Sequence, residues 1–487
     1  MIQLSKNSLG EITATGIEKP EAAIFDLPER VLQFGTGVLL RGLPDYFIDK
    51  ANRQGLFNGR IVVIKSTDSG GADAFEKQNG LYTLCIRGID NGKKTEENII
   101  CSAISRVLSA KDQWDEVLQC ARNPDMRVII SNTTEVGIRL VEDNIHFRPP
   151  VSFPGKLLAF LYERYQAFGG SAESGMVIVP TELILDNGKQ LAAIVRELSS
   201  INKLEAAFVA WLDDHCHFCN SLVDRIVPGK PDTETLQQLQ KDLGYTDDLL
   251  SISEVYRLWA IEGGEAVQQA LSFAAADTGV VIRPDIGVFR ELKLRLLNGT
   301  HTLSCGLAYL AGFSTVKNAM DDAAFSSFVA DLMLHEIAPS IPYDLPLEEA
   351  RDFGLRVLDR FRNPQIQHQW LSITMQYTSK MRMRNIPVLL VHYSHADTPP
   401  PLFALGFAAY LLFMRGDAHP VNDDKASYFF QLWKDHTPAA VVGLALRDQS
   451  LWGTDLSLLN GFEAAVRKNM EMLIDKGPAA VLAERKS

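Results

Sequence analysis

The sequence predicts an α/β domain with a largely parallel sheet over residues 1–284, followed by a mostly α-helical domain over residues 285–487. Three observations predict it. Short β-branched runs alternate with helical stretches through the first half. A glycine turn, Gly35-Thr36-Gly37, lies between the first such run and the first such helix. From about residue 285 the apolar residues recur at helical spacing, and strand runs all but vanish. A chain of 487 residues also exceeds one ordinary hydrophobic core, so two domains are expected.

Taken in order, residues 1 to about 29 read as an irregular lead-in. ERVLQFGTG is a strand ending in the glycine turn. LLRGLPDYFIDKANRQG reads as one helix, with Pro44 inside it a warning of a break. GRIVVIKS is a second strand. GLYTLCIRGIDNGKKTEENIICSAISRVLS reads as paired strands, because Asp90-Asn91-Gly92 is hairpin chemistry. DQWDEVLQCARN is helical, MRVIISNT a buried strand, PGKLLAFLYERYQAF a helix and GMVIVPTEL a further strand. AAFVAWLDDHCHFCNSLVDRI reads as a helix that sets Cys216 and Cys219 on one face. DTGVVIRPDI, Asp277 to Ile286, marks the boundary. Beyond it, ELKLRLLNGTHTLSCGLAYLAG, SSFVADLMLHEIAPSI, EEARDFGLRVLDRF and GFEAAVRKNMEMLIDKG all read as helices.

The net charge of −12 argues against a general nucleic-acid binder, although it leaves room for a local basic pocket. The longest apolar run, Leu402 to Met414, is too short to span a bilayer and reads as a buried helix. The start, MIQLSKNSLGEITATG, lacks a basic segment followed by an apolar run, so no secretory leader is expected. Six scattered cysteines make no disulfide framework for a chain this long. A cytoplasmic protein with a small-molecule substrate is expected, and either a monomer or a small homo-oligomer is compatible with the sequence.

Gly35 and Gly37 follow a strand and precede a helix. That is the setting of a Rossmann-like dinucleotide-binding turn, in which one glycine makes the tight turn and the next lets backbone approach a pyrophosphate. The third glycine of the usual pattern is replaced by Leu40, and Gly42 comes two residues later. A plain βα turn accounts for the same residues. The second strand ends at Lys65-Ser66-Thr67-Asp68. Asp68 suits a ribose diol, whereas Lys65 and Ser66 suit a 2′-phosphate, so these residues leave NAD and NADP both open. Asn132, Thr133, Thr134 and Glu135 follow another strand, where polar residues face the ligand crevice of an open sheet or cap the next helix.

KLRLLNGTH places Lys293, Asn298 and His301 within an arc of about 140° on a regular helix. Oxidation at an alcohol carbon needs a base for the hydroxyl proton, a donor to the developing alkoxide and a group that orients the oxygen. A lysine, an asparagine and a histidine supply these. On spacing alone, a solvated Lys293, an Asn298-Gly299 turn and a packed His301 are the better explanation. His215-Cys216-His217-Phe218-Cys219 offers soft ligands, but no second cluster follows to close a zinc site, and no metal is expected.

Together these pieces resemble the long-chain mannitol dehydrogenase family of polyol and uronate oxidoreductases, over nearly the whole chain from about Pro28. FGTGVLLRG is similar to the family's cofactor turn, which implies that Phe34, Gly35, Thr36, Gly37 and Arg41 serve the dinucleotide. NSLVDRIVPG is similar to its Asn-Ser-x-Val-Asp-Arg-Ile segment and implies a substrate role for Asp224. KLRLLNGTH matches its Lys-x4-Asn-x2-His motif. GLYTLCIRG, SNTTEVGI, PTELILDNG and RFRNPQIQHQWLSI resemble its tagaturonate-reducing branch. Glu182-Leu183-Ile184 stand where mannitol-type members carry Asp-Asn-Leu, so a second oxyanion amide is missing at Leu183, with Asn187 as a possible replacement.

The resemblance implies zinc-independent, NAD-dependent reduction of D-tagaturonate to D-altronate and its reverse, in hexuronate catabolism. Lys293 would be the general acid and base, Asn298 the oxyanion donor and His301 the orienting group. A hexuronate or aldonate needs a cation at its carboxylate, and Lys380, Arg382 and Arg384 are the candidates. Fructuronate reduction, polyol oxidation at C2, and a nucleotide-binding regulatory protein without catalysis are the competing readings.

Overall fold

The computed structural model describes residues 1–65, 72–133, 137–417 and 419–484. Two compact units form, Met1–Arg87 with Lys94–Ile286, and Gly88–Lys93 with Gly287–Ser487.

The first unit is built on six strands: β1 (Glu29–Phe34), β2 (Arg60–Lys65), β3 (Ile104–Ser109), β4 (Val128–Ser131), β5 (Val177–Pro180) and β6 (His217–Phe218). Their spatial order is β6-β5-β4-β1-β2-β3, and each pairing is parallel. This is the doubly wound order that switches direction between β1 and β4. The four inner strands are largely buried on both faces, which is why β2, β4 and β5 read as runs of β-branched and other apolar residues. Val31, Ile61, Val63 and Ile130 pack into one hydrophobic cluster, while Leu32, Val62, Ile64 and Ile129 pack into another. Alternate residues of each strand therefore serve opposite faces.

Four local readings of the sequence are corrected. Pro44 starts a helix rather than sitting inside one: α1 (Val38–Gly42) stops at Leu43, and α2 (Pro44–Arg53) begins with the proline at its first position, where a missing N–H costs nothing. The lead-in carries structure, since Ile2–Gln3 pairs with Tyr245–Thr246 and Ile17–Glu18 pairs with Asn98–Ile99. Leu4 and Ile12 are buried with Tyr245 and Leu250, so apolar residues spaced without helical or strand period still anchor it. The cysteine-rich segment is not one helix. The helix Ala206–His215 ends there, Cys216 is extended, His217–Phe218 adds β6 to the sheet edge, and Ser221–Asp224 forms a strand against Leu258–Glu262. Sheet pairing outweighed the local helical spacing at that point. The boundary stretch holds a strand as well, Val280–Arg283, parallel to Leu258–Glu262.

The hairpin Tyr82–Asp90 and Lys93–Cys101 turns at Asn91 and Gly92, whose φ angles of 50° and 73° are what a two-residue primed turn demands.

The second unit is helical. At its centre α3 (Thr300–Leu310) crosses α5 (Pro401–Phe413), with α4 (Leu347–Phe361) and α6 (Phe462–Lys476) also in the bundle. A Cβ at Gly406 would lie 2.6 Å from the Leu303 carbonyl oxygen, and one at Gly306 would lie 3.1 Å from that of Ala409. The two glycines let the backbones of α3 and α5 meet. This explains the apolar run from Leu402: α5 is buried almost all round and is a core helix. No helix among the described residues is long and apolar enough to cross a membrane.

Candidate functional site

In the first unit, the carboxyl ends of β1 and β4 lie side by side, Phe34 opposite Ser131. Gly35 follows with φ 125° and donates its N–H to the Ile64 carbonyl at 3.0 Å. A methyl group on Gly35 would fall 2.8 Å from the Asn132 carbonyl oxygen, so both backbone angle and space require glycine. Gly37 differs. It precedes α1, it is exposed, and a methyl group there would meet nothing within 4 Å. The turn is closed toward β4 and open at Gly37, a shape that fits backbone approach to a pyrophosphate. Thr36 between them is half-buried.

The other nucleotide candidates divide. Phe34 is wholly buried against Phe153, with ring centroids 5.2 Å apart. Arg41 is buried too: it donates to the Leu249 carbonyl at 3.0 Å and lies over the rings of Phe75 and Tyr82. Asn132 donates its amide to Thr181 Oγ1 at 2.9 Å. Thr133 donates both its N–H (2.8 Å) and its hydroxyl (3.0 Å) to Glu182, a buried carboxylate that also accepts from Ser131 (3.1 Å). Glu182 was not read as functional from the sequence, yet it holds Ser131 and Thr133 at the end of β4. Asp68, Thr134 and Glu135 lie outside the described residues.

Asn187 is fully committed. Its amide nitrogen donates to the carbonyls of Pro180, Glu182 and Ser221, and its oxygen accepts from the N–H groups of Gly188 and Ser221. It ties the end of β5 to the strand that carries Asp224, which is itself buried. The structure leaves Asn187 no free amide to replace the one missing at Leu183, which is exposed.

In the second unit the KLRLLNGTH stretch is not a regular helix. Lys293–Gly299 forms a π-helical segment that runs straight into α3. A π turn closes between residues five apart, so Lys293 and Asn298 fall on successive turns of one face instead of about 140° apart. A second π-helical segment, Met381–Asn385, holds two of the candidate cations. The two segments brace each other. Arg295 donates to the carbonyls of Met383 (2.6 Å) and Arg384 (2.8 Å). In return, Asn385 donates to the Gly299 carbonyl (3.0 Å), and Arg384 to Thr302 Oγ1 (3.1 Å) and the Asn298 carbonyl (3.4 Å). Breaking the ordinary helical ladder frees carbonyls, and side chains of the partner segment take them up.

Lys293 and Asn298 are half-buried. The Asn298 side-chain amide makes no hydrogen bond among the described residues, in contrast to Asn187. His301, at the start of α3, is 8% exposed and stacks on Phe361, the rings 4.0 Å apart and 8° from parallel. His368 and Trp370 set their rings at right angles to it, at 5.4 Å and 5.9 Å. Burial first, then the positive fields around it, including Arg360 and Arg384, hold this imidazole well below its usual range, so it is neutral. Its Nε2 is buried with no hydrogen-bond partner among the described residues.

The three candidate cations differ as well. Lys380 is half-buried, donates to the Ile373 carbonyl at 3.0 Å and has its pKa lowered by burial and then by Arg384. Arg384 is half-buried, and burial lowers its pKa. Arg382 is exposed. None of the three has an ion pair among the described residues. No group of three or more histidine, cysteine or acidic side chains able to hold a metal ion occurs among the described residues. All six cysteines are free and buried.

Both units match domains of one protein family. The mannitol dehydrogenase Rossmann domain matches residues 29–274, and the mannitol dehydrogenase C-terminal domain matches residues 285–474. Altronate oxidoreductase of Yersinia enterocolitica is 38% identical over 469 residues, 94% of this chain and 96% of that protein. Altronate oxidoreductase of Bacillus subtilis is 38% identical over 435 residues, 88% of this chain and 89% of that one. The chain belongs to the mannitol dehydrogenase family.

As a member of the mannitol dehydrogenase family it is an oxidoreductase acting on CH–OH groups. Two solved structures share the fold. Pseudomonas fluorescens mannitol 2-dehydrogenase, in ternary complex with NAD and D-mannitol, aligns over 99% of each chain with a TM-score of 0.63 and 22% identity. A substrate-free D-sorbitol dehydrogenase aligns over 99% of this chain and 100% of its own, with a TM-score of 0.76 and 20% identity. Sequence reasoning picked out the histidine but missed its surroundings. Phe361, His368 and Trp370 all come from RFRNPQIQHQWLSI, a stretch noticed only for its family likeness, because a loop that returns to a helix leaves no periodic signal.

Proposed function

We propose that this chain uses NAD(H) to interconvert D-tagaturonate and D-altronate. One observation supports the acidic substrate above others. Lys380 and Arg384 are half-buried cations without an ion pair among the described residues, hydrogen-bonded only to neutral oxygens, and the charge of Arg384 reaches the buried neutral His301 with its unused nitrogen. Buried cations are ordinarily paired, so an anionic ligand is the natural partner. The naming of the relatives as altronate oxidoreductases selects the sugar acid.

A bound dinucleotide would set its pyrophosphate at the open glycine turn of the first unit and would supply the hydride, and NAD is the dinucleotide in the mannitol 2-dehydrogenase complex. In ketone reduction Lys293 gives a proton to the carbonyl oxygen as its carbon accepts the hydride, and C=O becomes CH–OH. Asn298 donates its uncommitted amide to the negative charge growing on that oxygen. His301, neutral, orients the oxygen through Nε2. In the reverse direction Lys293 takes the hydroxyl proton. Lys380 and Arg384 hold the carboxylate at the far end of the sugar, and Arg384 also fixes the backbone at Asn298.

The test is NADH consumption with D-tagaturonate, D-fructuronate and D-fructose in parallel, repeated with NADPH. Strong preference for D-tagaturonate with NADH supports the proposal. Preference for D-fructuronate or D-fructose keeps the lysine chemistry and overturns the substrate, and cofactor binding without any turnover overturns the enzyme reading.

A further inference from the structure

His368 is held rigidly for a side chain on a loop. Its carbonyl accepts the Val316 N–H at 2.9 Å, the Trp370 N–H donates to the Ser314 carbonyl at 3.0 Å, and Thr315 and Gln369 form an antiparallel bridge between these bonds. Residues two apart on an extended segment point the same way. His368 and Trp370 accordingly both set their rings at right angles to His301.

The rings around His301 differ in exposure. Phe361 and Trp370 are buried and seal it, while His368 reaches solvent and its imidazole makes no hydrogen bond among the described residues. The electrostatics point the same way. Burial, and then the positive charge of Lys380, keep the His368 imidazole neutral, and no carboxylate opposes them. A solvent-facing imidazole thus borders the reacting-oxygen histidine on one side and feels a carboxylate-binding cation on another. A phenylalanine would serve for packing alone.

We infer that His368 is a substrate-specificity residue, whose imidazole hydrogen-bonds the acidic sugar between the oxygen held at His301 and the carboxylate held at Lys380. The inference rests on the sugar-acid reading above and deepens it, adding a residue outside the Lys-x4-Asn-x2-His motif and outside the basic segment.

The test uses full-length His368→Ala and His368→Gln. His368→Ala should raise KM for D-tagaturonate about tenfold and leave kcat within about threefold, because one hydrogen bond to the bound substrate is lost and the proton-transfer groups stay. His368→Gln, which keeps a donor, should recover part of the KM, and Tm should not move. Calorimetric binding of D-altronate reads the same contact without turnover and should weaken about tenfold in His368→Ala. Unchanged KM and unchanged D-altronate binding would overturn the inference. So would a fall in kcat with lower Tm and constant KM, which is what a packing role produces. Wild-type protein that fails to reduce D-tagaturonate but binds D-altronate, more weakly in the alanine variant, would sink the catalytic reading and leave the His368 contact standing.

Discussion

Arg295 and Arg384 cross-link two π-helical segments: Arg295 Nη1 donates to the Arg384 carbonyl at 2.8 Å, and Arg384 Nη1 donates back to the Asn298 carbonyl at 3.4 Å. The first segment carries Lys293 and Asn298, and the second carries Arg382 and Arg384. Arg295 also pairs with Glu291 at 2.9 Å and is buried. Arg295→Ala should destabilise the protein by about 2 kcal/mol, since two part-buried carbonyls lose a charged donor. It should also lower kcat, because the face bearing Lys293 loses its brace. Urea unfolding together with steady-state kinetics checks both, and a variant with unchanged midpoint and kcat would contradict the bracing.

Lys293→Ala should lower kcat by about a hundredfold or more while NADH binding stays as in wild type, since general acid–base catalysis contributes on that scale. Fluorescence titration of NADH alongside turnover separates the two. A near-normal kcat would remove Lys293 from the mechanism.

Arg384→Ala should raise KM for D-tagaturonate by about tenfold or more, and Arg382→Ala should leave it within about twofold, because only Arg384 is withdrawn from solvent. Equal effects from the two variants would mean that the basic segment acts through net charge alone.

Gly37→Ala should fold with unchanged Tm, because its new methyl group meets nothing within 4 Å, and yet bind NADH more weakly. Gly35→Ala should lose stability as well, with its methyl 2.8 Å from the Asn132 carbonyl oxygen at φ 125°. If Gly37→Ala binds NADH like wild type, the cofactor does not approach this turn.

Asp45 gives a pH dependence with a definite sign. Burial pushes its carboxyl up to about 8, although a hydrogen bond from Gln33 and the charge of Arg41 oppose the rise. The folded state therefore binds this proton more tightly than the unfolded chain does. The stability that depends on it is complete below the ordinary carboxylate range and is lost as pH rises toward about 8. Asp45→Asn should flatten that decline and melt higher than wild type above about 8, as thermal scans across the range would show. Parallel declines in the two proteins would exclude Asp45 as the source.

Much of the fold was legible because its signals are local. Buried parallel strands are short runs of four to six residues, β-branched in β2 and β4, and β1, β2 and β4 were read directly from the sequence. The glycine turn was legible because its position between strand and helix limits what glycines there do. Pro44 was read as a warning, and only its exact effect, a new helix start, was missing. The segment at Cys216–Cys219 misled because a two-residue edge strand is decided by the sheet it joins, not by its own spacing.

The sequence by itself determined the order of elements, the α/β and helical halves, and the identity of Lys293, Asn298 and His301 as the residues worth placing. The order and the two halves follow from periodicity, a property of neighbours along the chain, while the three residues stand out only through the likeness of KLRLLNGTH to the family motif. Only the tertiary structure decided that the lysine stretch is π-helical, that Arg295 and Asn385 lock it to the basic segment, that Asn187 is spent on backbone carbonyls, and that Phe361, His368 and Trp370 enclose His301. Each of these depends on groups tens of residues apart sharing buried polar or aromatic contacts. Burial sets which hydrogen bonds must be made, and burial is known only once the chain has folded.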